Sequence, residues 1–117
     1  MIDLPELHRS LCREYGAAFT PPAAGSRLGI ALQTLGRLPL HGLRVPERGG
    51  ANGWYLWAGE DASEDPEFYQ PLCVEHLVEL CPIVLRFLAL PAGWRFLTDG
   101  SYVDVWQDSR LLEPHQG

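Results

Sequence analysis

The sequence contains no lysine and only three cysteines, and each shortage excludes something. All basic residues are arginines, so a phosphate-binding loop that depends on a lysine is excluded. We otherwise read the missing lysine as a coding bias. Cys12, Cys73 and Cys81 leave one thiol unpaired in any disulfide scheme, and 117 residues can form a core without disulfides. Free buried thiols are therefore expected.

A long apolar run is also missing at the N-terminus. Residues 1–10 carry a charge by the third position, which is not typical of a secretory signal or of a membrane span. We expect a cytoplasmic protein without membrane contact. Its length fits a single domain over 1–117, with a mobile tail from about residue 109.

Basic residues are absent between Arg48 and Arg86, and this gap shapes the charge distribution. Residues 1–48 hold six arginines against four acidic residues, a net charge of +2. Residues 49–117 hold three arginines against eleven acidic residues, a net charge of −8. A negative potential of this kind repels nucleic acid and attracts basic protein surfaces. Direct binding to DNA or RNA is not expected.

The most informative segment that is present runs from Gly53 to Glu60. It follows a glycine-rich turn, contains two tryptophans and a tyrosine, and breaks at Gly59, as a short strand does. Trp54, Leu56 and Ala58 would line one face of this strand, and Tyr55 and Trp57 the other. Both faces are apolar, so both need covering, by the protein itself or by a partner.

The pattern of elements predicts an α+β fold with a small, mainly antiparallel sheet. The expected strands are 54–58, 94–97 and 102–106, the last two joined as a hairpin by a turn that contains Asp99 and Gly100. The expected helices are 4–15, 26–35 and 72–89, and the last should lie across one sheet face. The predicted core includes Trp54, Leu77, Val84, Trp94, Phe96 and Trp106.

Three segments allow more than one interpretation. Leu28, Ile30 and Leu32 alternate, so residues 26–35 also fit a strand. Residues 38–46 alternate but are interrupted by two prolines, which favours an extended segment at a sheet edge. Pro82 predicts either a kink or a helix that ends near Leu80 and a second that begins at Pro82.

Few residues fit a catalytic or metal-binding pattern. Cys73 and His76 lie three positions apart, and His8 and Cys12 four, but the paired spacing of zinc sites is missing. Cysteine within an apolar segment usually behaves as a small hydrophobic residue. We therefore expect no metal and no cofactor.

The acidic segment after the central strand is the candidate partner-binding site. Its carboxylates lack the turn glycine and final glutamate of a calcium-binding loop. Trp57 precedes them and is the aromatic residue most suited to contact a partner. The predicted partner-binding residues are Trp57, Glu60, Asp61, Glu64, Asp65 and Glu67.

A series of short aromatic and glycine-containing segments gives the chain a family resemblance. They are residues 42–44, 53–60, 65–72, 74–77, 91–97 and 104–106. Together they resemble the Imm33-like group of bacterial immunity proteins over about residues 26–112. In that group position 73 tends to be histidine, so Cys73 is a departure that weakens any site needing two histidines there.

The resemblance implies a protein that neutralises a cognate bacterial toxin by direct binding and occlusion, without catalysis. The toxin would present a basic surface to the acidic segment. The alternative is a small enzyme or ligand-binding domain that uses His76, Cys73 and nearby carboxylates. It requires these groups to converge and at least one of them to have a strongly shifted pKa.

Overall fold

A computed structural model describes residues 4–59 and 66–113, and shows one six-stranded sheet with short helices. The strands are β1 (Arg27–Ile30), β2 (Leu40–Arg44), β3 (Ala51–Ala58), β4 (Gln70–Cys73), β5 (Trp94–Thr98) and β6 (Val103–Gln107). Their order is β4-β1-β3-β2-β5-β6. The β1–β3 pair is parallel and the other pairs are antiparallel, so the predicted α+β class is confirmed.

Within the described residues, two α-helices and five 3₁₀ helices connect or flank these strands. The α-helices are α1 (Leu4–Tyr15) and α2 (Leu77–Leu80). The 3₁₀ helices are Leu32–Thr34, Pro66–Phe68, Val74–His76, Pro82–Phe87 and Ser109–Leu112. The predicted first helix is confirmed at both ends. The mobility expected of the tail stays a prediction, and residues 114–117 lie outside the described part of the chain.

The predicted helix over 26–35 is wrong, and the strand that competed with it is correct. Leu28 and Ile30 alternate into the core, where both are buried, and β1 pairs with β3 on one side and β4 on the other. Only Leu32–Thr34 is helical, as a single 3₁₀ turn. Sheet pairing on both sides outweighs a helical propensity that spans few residues.

The segment 38–46 forms β2, but β2 is not an edge strand. It lies between β3 and β5 and pairs with both. The prolines that suggested an edge, Pro39 and Pro46, stand outside Leu40–Arg44 and therefore remove no donor from the ladder.

The predicted helix over 72–89 is divided into several short elements. Leu72 belongs to β4, and the chain then forms the 3₁₀ turn Val74–His76, α2 and Pro82–Phe87. The expected break before Pro82 is confirmed at Cys81. Because the break changes the helical phase, Val78 is 59% exposed, although a continuous helix would bury it.

The predicted core and hairpin are confirmed, with one exception described below. Trp54, Leu77, Val84, Trp94 and Phe96 are all buried, and β5 pairs with β6 antiparallel, as the predicted hairpin requires. The helices cover one face of the sheet. Their contribution to the core is Leu11, Cys12, Leu77, Val84, Phe87 and Leu88. Cys12 and Cys81 are buried free thiols, as expected, whereas Cys73 is half-buried.

Arg44 is a buried charge that organises the connections around this core. Its guanidinium donates to the carbonyl oxygens of Asn52 (2.9 Å), Thr20 (2.5 Å), Leu90 (2.9 Å) and Leu88 (3.3 Å). These four residues come from three segments that are distant in the chain. A buried guanidinium satisfied in this way holds backbone segments that no sheet ladder reaches.

The second terminal nitrogen of Arg44 is less well satisfied. Nη2 has no hydrogen bond among the described residues and lies 3.9 Å from a carboxylate oxygen of Glu47, too far for a hydrogen bond. The guanidinium also lies over the Trp54 ring at 5.8 Å. Burial lowers the pKa of Arg44, and Glu47 partly opposes this effect.

Candidate functional site

The structure describes two of the six predicted partner-binding residues. Trp57 is the second-last residue of β3, and Glu67 lies in the 3₁₀ helix Pro66–Phe68. The other four, Glu60, Asp61, Glu64 and Asp65, lie outside the described residues. The site is therefore built from the elements on either side of them.

Trp57 is buried, which differs from its expected role as an exposed contact residue. Only 3% of it is exposed. Its indole stacks on the His41 ring at 4.9 Å with an angle of 7° between the planes, and Tyr69 meets it edge-on at 6.3 Å. Its Nε1 has no hydrogen-bond partner among the described residues. Trp57 offers a partner almost no surface in this conformation, and its role in binding stays a prediction.

His41 holds the end of β3 just before the acidic segment begins. Its Nε2 donates to the carbonyl oxygen of Gly59 at 2.8 Å, since a carbonyl can only accept. The Gly59 amide donates in turn to the carbonyl oxygen of Pro39 at 2.9 Å. Burial is the largest influence on His41 and lowers its pKa, so the neutral imidazole is favoured. These bonds fix where the chain leaves the sheet.

Arg37 lies beside Gly59, where the chain leaves the sheet, and the sequence did not indicate this proximity. Gly59 has a φ of +89°, and a Cβ added there would lie 3.2 Å from Cδ of Arg37. Arg37 is exposed. The acidic segment contains no arginine of its own, but a cation from the β1–β2 connection stands at its start and reduces the negative potential there.

Tyr69 connects the other end of the acidic segment to the sheet. Its ring meets Tyr55 edge-on at 5.2 Å and Phe68 at 5.0 Å. Glu67, two residues earlier, is exposed. The described end of the acidic segment therefore lies beside the sheet face that carries Tyr55.

That sheet face lies opposite the helices, and no helix of residues 4–59 and 66–113 packs across it. It presents Leu43, Tyr55, Arg95, Leu97, Asp104 and Trp106, which we call the outer face. Tyr55 is 38% exposed, and Leu43, Leu97 and Trp106 are half-buried. Trp106 is thus the exception to the predicted core. It alternates with the buried Val105, and this period of two is the signal that places it on the outer face.

The groups that a catalytic alternative needs do not converge. The Cys73 thiol donates to a carboxylate oxygen of Glu75 at 2.9 Å, and this bond is the main cause that raises the pKa of Cys73. A thiol held protonated is a poor nucleophile. His76 is exposed, and no hydrogen bond joins it to Cys73 in the described part of the chain.

The side chains of the second Cys–His pair, His8 and Cys12, are hydrogen-bonded to backbone carbonyl oxygens. His8 Nε2 donates to the carbonyl oxygen of Leu85 at 2.7 Å, and the Cys12 thiol donates to that of Ala89 at 3.5 Å. Among residues 4–59 and 66–113, no group of three histidine, cysteine or acidic side chains is placed to hold a metal ion. The expected absence of a structural metal stays a prediction.

An apolar groove of about 510 Å³ lies between α1 and the helices that follow β4. Its lining is Leu4, Leu7, Val78, Pro82, Ile83, Leu85, Arg86 and Gly100. The lining includes neither Cys73 nor His76. The groove therefore does not place a binding site beside the residues of the catalytic alternative.

The described residues form a small α+β domain whose helices pack on one face of a six-stranded sheet. The model of the Imm33-like domain matches residues 7–108. The chain belongs to the Imm33-like family. The match begins within α1, earlier than the resemblance at residue 26 suggested. Comparisons with curated proteins and with solved structures give no match. No described helix is long and apolar enough to cross a membrane.

Proposed function

We propose that this protein is an immunity protein that neutralises a bacterial toxin by binding and occluding it, without catalysis. The observation that carries this proposal is the family match over residues 7–108. The protonated state favoured for the Cys73 thiol agrees with a protein that binds rather than reacts. We place the protein in the cytoplasm, where it would meet a toxin after entry.

The acidic segment is the proposed first point of contact. We propose that Glu60, Asp61, Glu64, Asp65 and Glu67 meet a basic surface of the toxin, and that Trp57, which precedes them in the chain, belongs to the same site. A toxin that acts on nucleic acid would present a basic cleft, which carboxylates could enter in place of phosphates. Charges at the rim of an interface mainly raise the association rate.

The test reverses two of these charges. Association of Glu64→Lys/Asp65→Lys with the toxin encoded by the adjacent gene should be slower than that of the wild type at low salt, and its salt dependence should be weaker. Glu6→Lys/Glu79→Lys is the matched control, because it changes the net charge equally at two exposed helical positions. Folding should change little in either variant, since exposed charges contribute little to stability.

Substitution of Arg37 should change the association rate in the opposite direction. Removing this cation beside Gly59 should strengthen the local negative potential, so Arg37→Ala should associate faster with a basic toxin. Identical rates and salt slopes in all variants would exclude the acidic segment as the binding site. Failure of the wild-type protein to bind the toxin, or to protect cells that express it, would overturn the immunity function itself.

A further inference from the structure

We propose that the edge strand β6 pairs antiparallel with β6 of a second copy of this chain, so that the two sheets join into one. The order of the sheet places β6 at one end and β4 at the other. A strand at the end of a sheet carries unpaired backbone groups, and these can pair with another strand. Such a dimer goes beyond the proposed function and does not depend on it, because it involves no toxin.

The ladder between β5 and β6 shows which backbone groups of β6 are already used. The Asp108 amide donates to the carbonyl oxygen of Gly93 at 2.6 Å, and the Asp99 amide donates to that of Tyr102 at 3.3 Å. Because hydrogen-bonded positions alternate along an antiparallel ladder, the even-numbered residues of β6 bond to β5. The odd-numbered residues direct their N–H and C=O groups to the free edge, and these are Val103, Val105 and Gln107.

No element of the described chain covers this free edge. Within residues 4–59 and 66–113, no strand other than β5 pairs with β6, and no backbone hydrogen bond reaches the three outward residues. After β6 the chain forms the 3₁₀ helix Ser109–Leu112, and Leu112 lies close to Gly93, just before the start of β5. This part of the chain therefore turns back toward the sheet and does not pass along the edge of β6.

The opposite edge of the sheet is protected in a way that β6 is not. On β4, the Val74 amide donates to the carbonyl oxygen of Ser26, and the alternation of the ladder then directs Pro71 outward. Proline has no N–H group to donate, and it is one of the means by which proteins protect sheet edges. β6 contains no proline, its five pairs with β5 run without a register shift, and its one charged residue is Asp104.

A two-fold axis at Val105 pairs the outward groups of two copies completely. Each Val103 then lies opposite Gln107 of the other copy, and the two Val105 residues lie opposite each other. Outward residues meet only outward residues in this register, so each of the three pairs exchanges two hydrogen bonds. The free edge of this chain is thus complementary to itself.

Neighbouring registers are less favourable. Moving the axis by one residue in either direction leaves two hydrogen-bonded pairs within β6 instead of three. An axis at residue 104 also places two Asp104 carboxylates opposite each other, and like charges in that position destabilise a ladder. With the axis at Val105, Asp104 lies opposite Trp106, whose indole N–H can donate to a carboxylate. The single charge of the strand therefore favours the same register as the backbone.

The net charge distinguishes a second copy from a basic protein as the occupant of this edge. Each chain carries a net charge of −6, so two copies repel one another. Salt screens this repulsion, and the dimer should become tighter as the ionic strength is raised. Binding of a basic partner to an acidic chain should change in the opposite direction.

The first experiment uses the wild-type protein alone. Sedimentation over a range of concentrations should show a monomer–dimer equilibrium that shifts toward the dimer at higher salt. Hydrogen exchange, followed for each amide by NMR, should show an alternating pattern along β6. The amides of Val103, Val105 and Gln107 should become protected as the concentration rises. Those of Asp104 and Trp106 bond to β5 and should be protected at every concentration.

The second experiment removes one outward donor. Gln107→Pro deletes an N–H group that β5 does not use, at an exposed residue, so the melting temperature should stay near that of the wild type. The two-fold axis makes one substitution remove two hydrogen bonds, and we expect the Kd of the dimer to rise at least about tenfold. Gln107→Thr is the matched control, because it changes the same side chain but keeps the N–H group, and its Kd should stay near that of the wild type.

Three results would overturn the pairing of β6. A wild type that stays monomeric at every concentration and salt would exclude the dimer. A dimer that leaves the outward amides unprotected, or that Gln107→Pro and Gln107→Thr weaken equally, would assign self-association to another surface. Protection of the outward amides only after a toxin is added would assign the edge to that toxin. The exchange experiment needs no substitution, so it decides the matter even if Gln107→Pro fails to fold.

Discussion

Gly42 lies directly opposite Phe96 in the β2–β5 ladder, and the ring of Phe96 occupies the space in which a Cβ of Gly42 would stand. The Phe96 ring stacks on Phe87 at 4.3 Å with an angle of 9° between the planes, so it cannot retreat without disturbing the core. The glycine is therefore required by packing.

Replacing Gly42 by alanine should destabilise the protein by overpacking. We expect Gly42→Ala to lower the free energy of unfolding by about 1–3 kcal/mol, measured by urea denaturation. The matched comparison is the same substitution in a Phe96→Leu background, where the smaller side chain leaves room. The cost of Gly42→Ala should be smaller there, and an equal cost in both backgrounds would contradict the steric explanation.

Arg44 should be among the positions most sensitive to substitution. Arg44→Met removes the donor to the carbonyl oxygens of Asn52, Thr20, Leu88 and Leu90, and leaves buried acceptors unsatisfied. We expect a loss of at least about 3 kcal/mol in the free energy of unfolding, since each unsatisfied buried group costs about 1–3 kcal/mol.

Arg44→Lys separates charge from geometry at the same position. Lysine keeps the cation but has a compact ammonium group that cannot reach carbonyl oxygens spread over a planar fork. The lysine variant should therefore fall between wild type and Arg44→Met in urea denaturation. If Arg44→Met were as stable as the wild type, the carbonyl bonds would not hold these segments together.

The two tryptophans of the hairpin should respond differently to truncation. Trp94 is 9% exposed in the core, so Trp94→Ala should cost about 3–5 kcal/mol, as deletions of large buried aromatic residues do. Trp106 lies on the outer face and is the control on the neighbouring strand, and Trp106→Ala should cost less. Equal losses in thermal melts would contradict the assignment of the two residues to opposite faces.

Local pattern was enough to predict the central strand and the hairpin. In β3 and β5–β6 the alternation of aromatic residues is bounded by glycine turns, and both signals are contained within a few residues. Between Leu72 and Leu90 the apolar residues cover all of a helical wheel except the arc with Glu75, Glu79 and Arg86, so periodicity could not distinguish one buried helix from a strand followed by short helices. The pairing of β4 with β1 makes the start of this segment a strand, and the two strands are far apart in the sequence.

The candidate site was predicted only in part for the same reason. The acidic composition of residues 60–67 is visible in the sequence, but the burial of Trp57 depends on His41 and Tyr69, which belong to other elements. Arg37 likewise comes close to Gly59 only through the fold. The outer face follows from the period of two in each strand once the register of the sheet is known.

His8, which is buried, and His41, which is half-buried, should make stability depend on pH below neutrality. Burial lowers the pKa of both His8 and His41 from the ordinary value of 6.5, although each donates to a carbonyl oxygen. The unfolded chain therefore binds more protons than the folded protein between the lowered pKa values and 6.5. Stability should be complete above this window and should fall as the pH decreases through it.

The measurement is urea denaturation between about pH 7 and pH 5, a range in which carboxylates stay largely ionised. His8→Gln/His41→Gln keeps a side-chain donor for each carbonyl oxygen but cannot titrate, so the loss of stability over this range should be smaller than in the wild type. His76→Gln, at an exposed histidine, is the control and should retain the wild-type slope. An equal slope in the double variant would show that groups other than His8 and His41 cause the pH dependence.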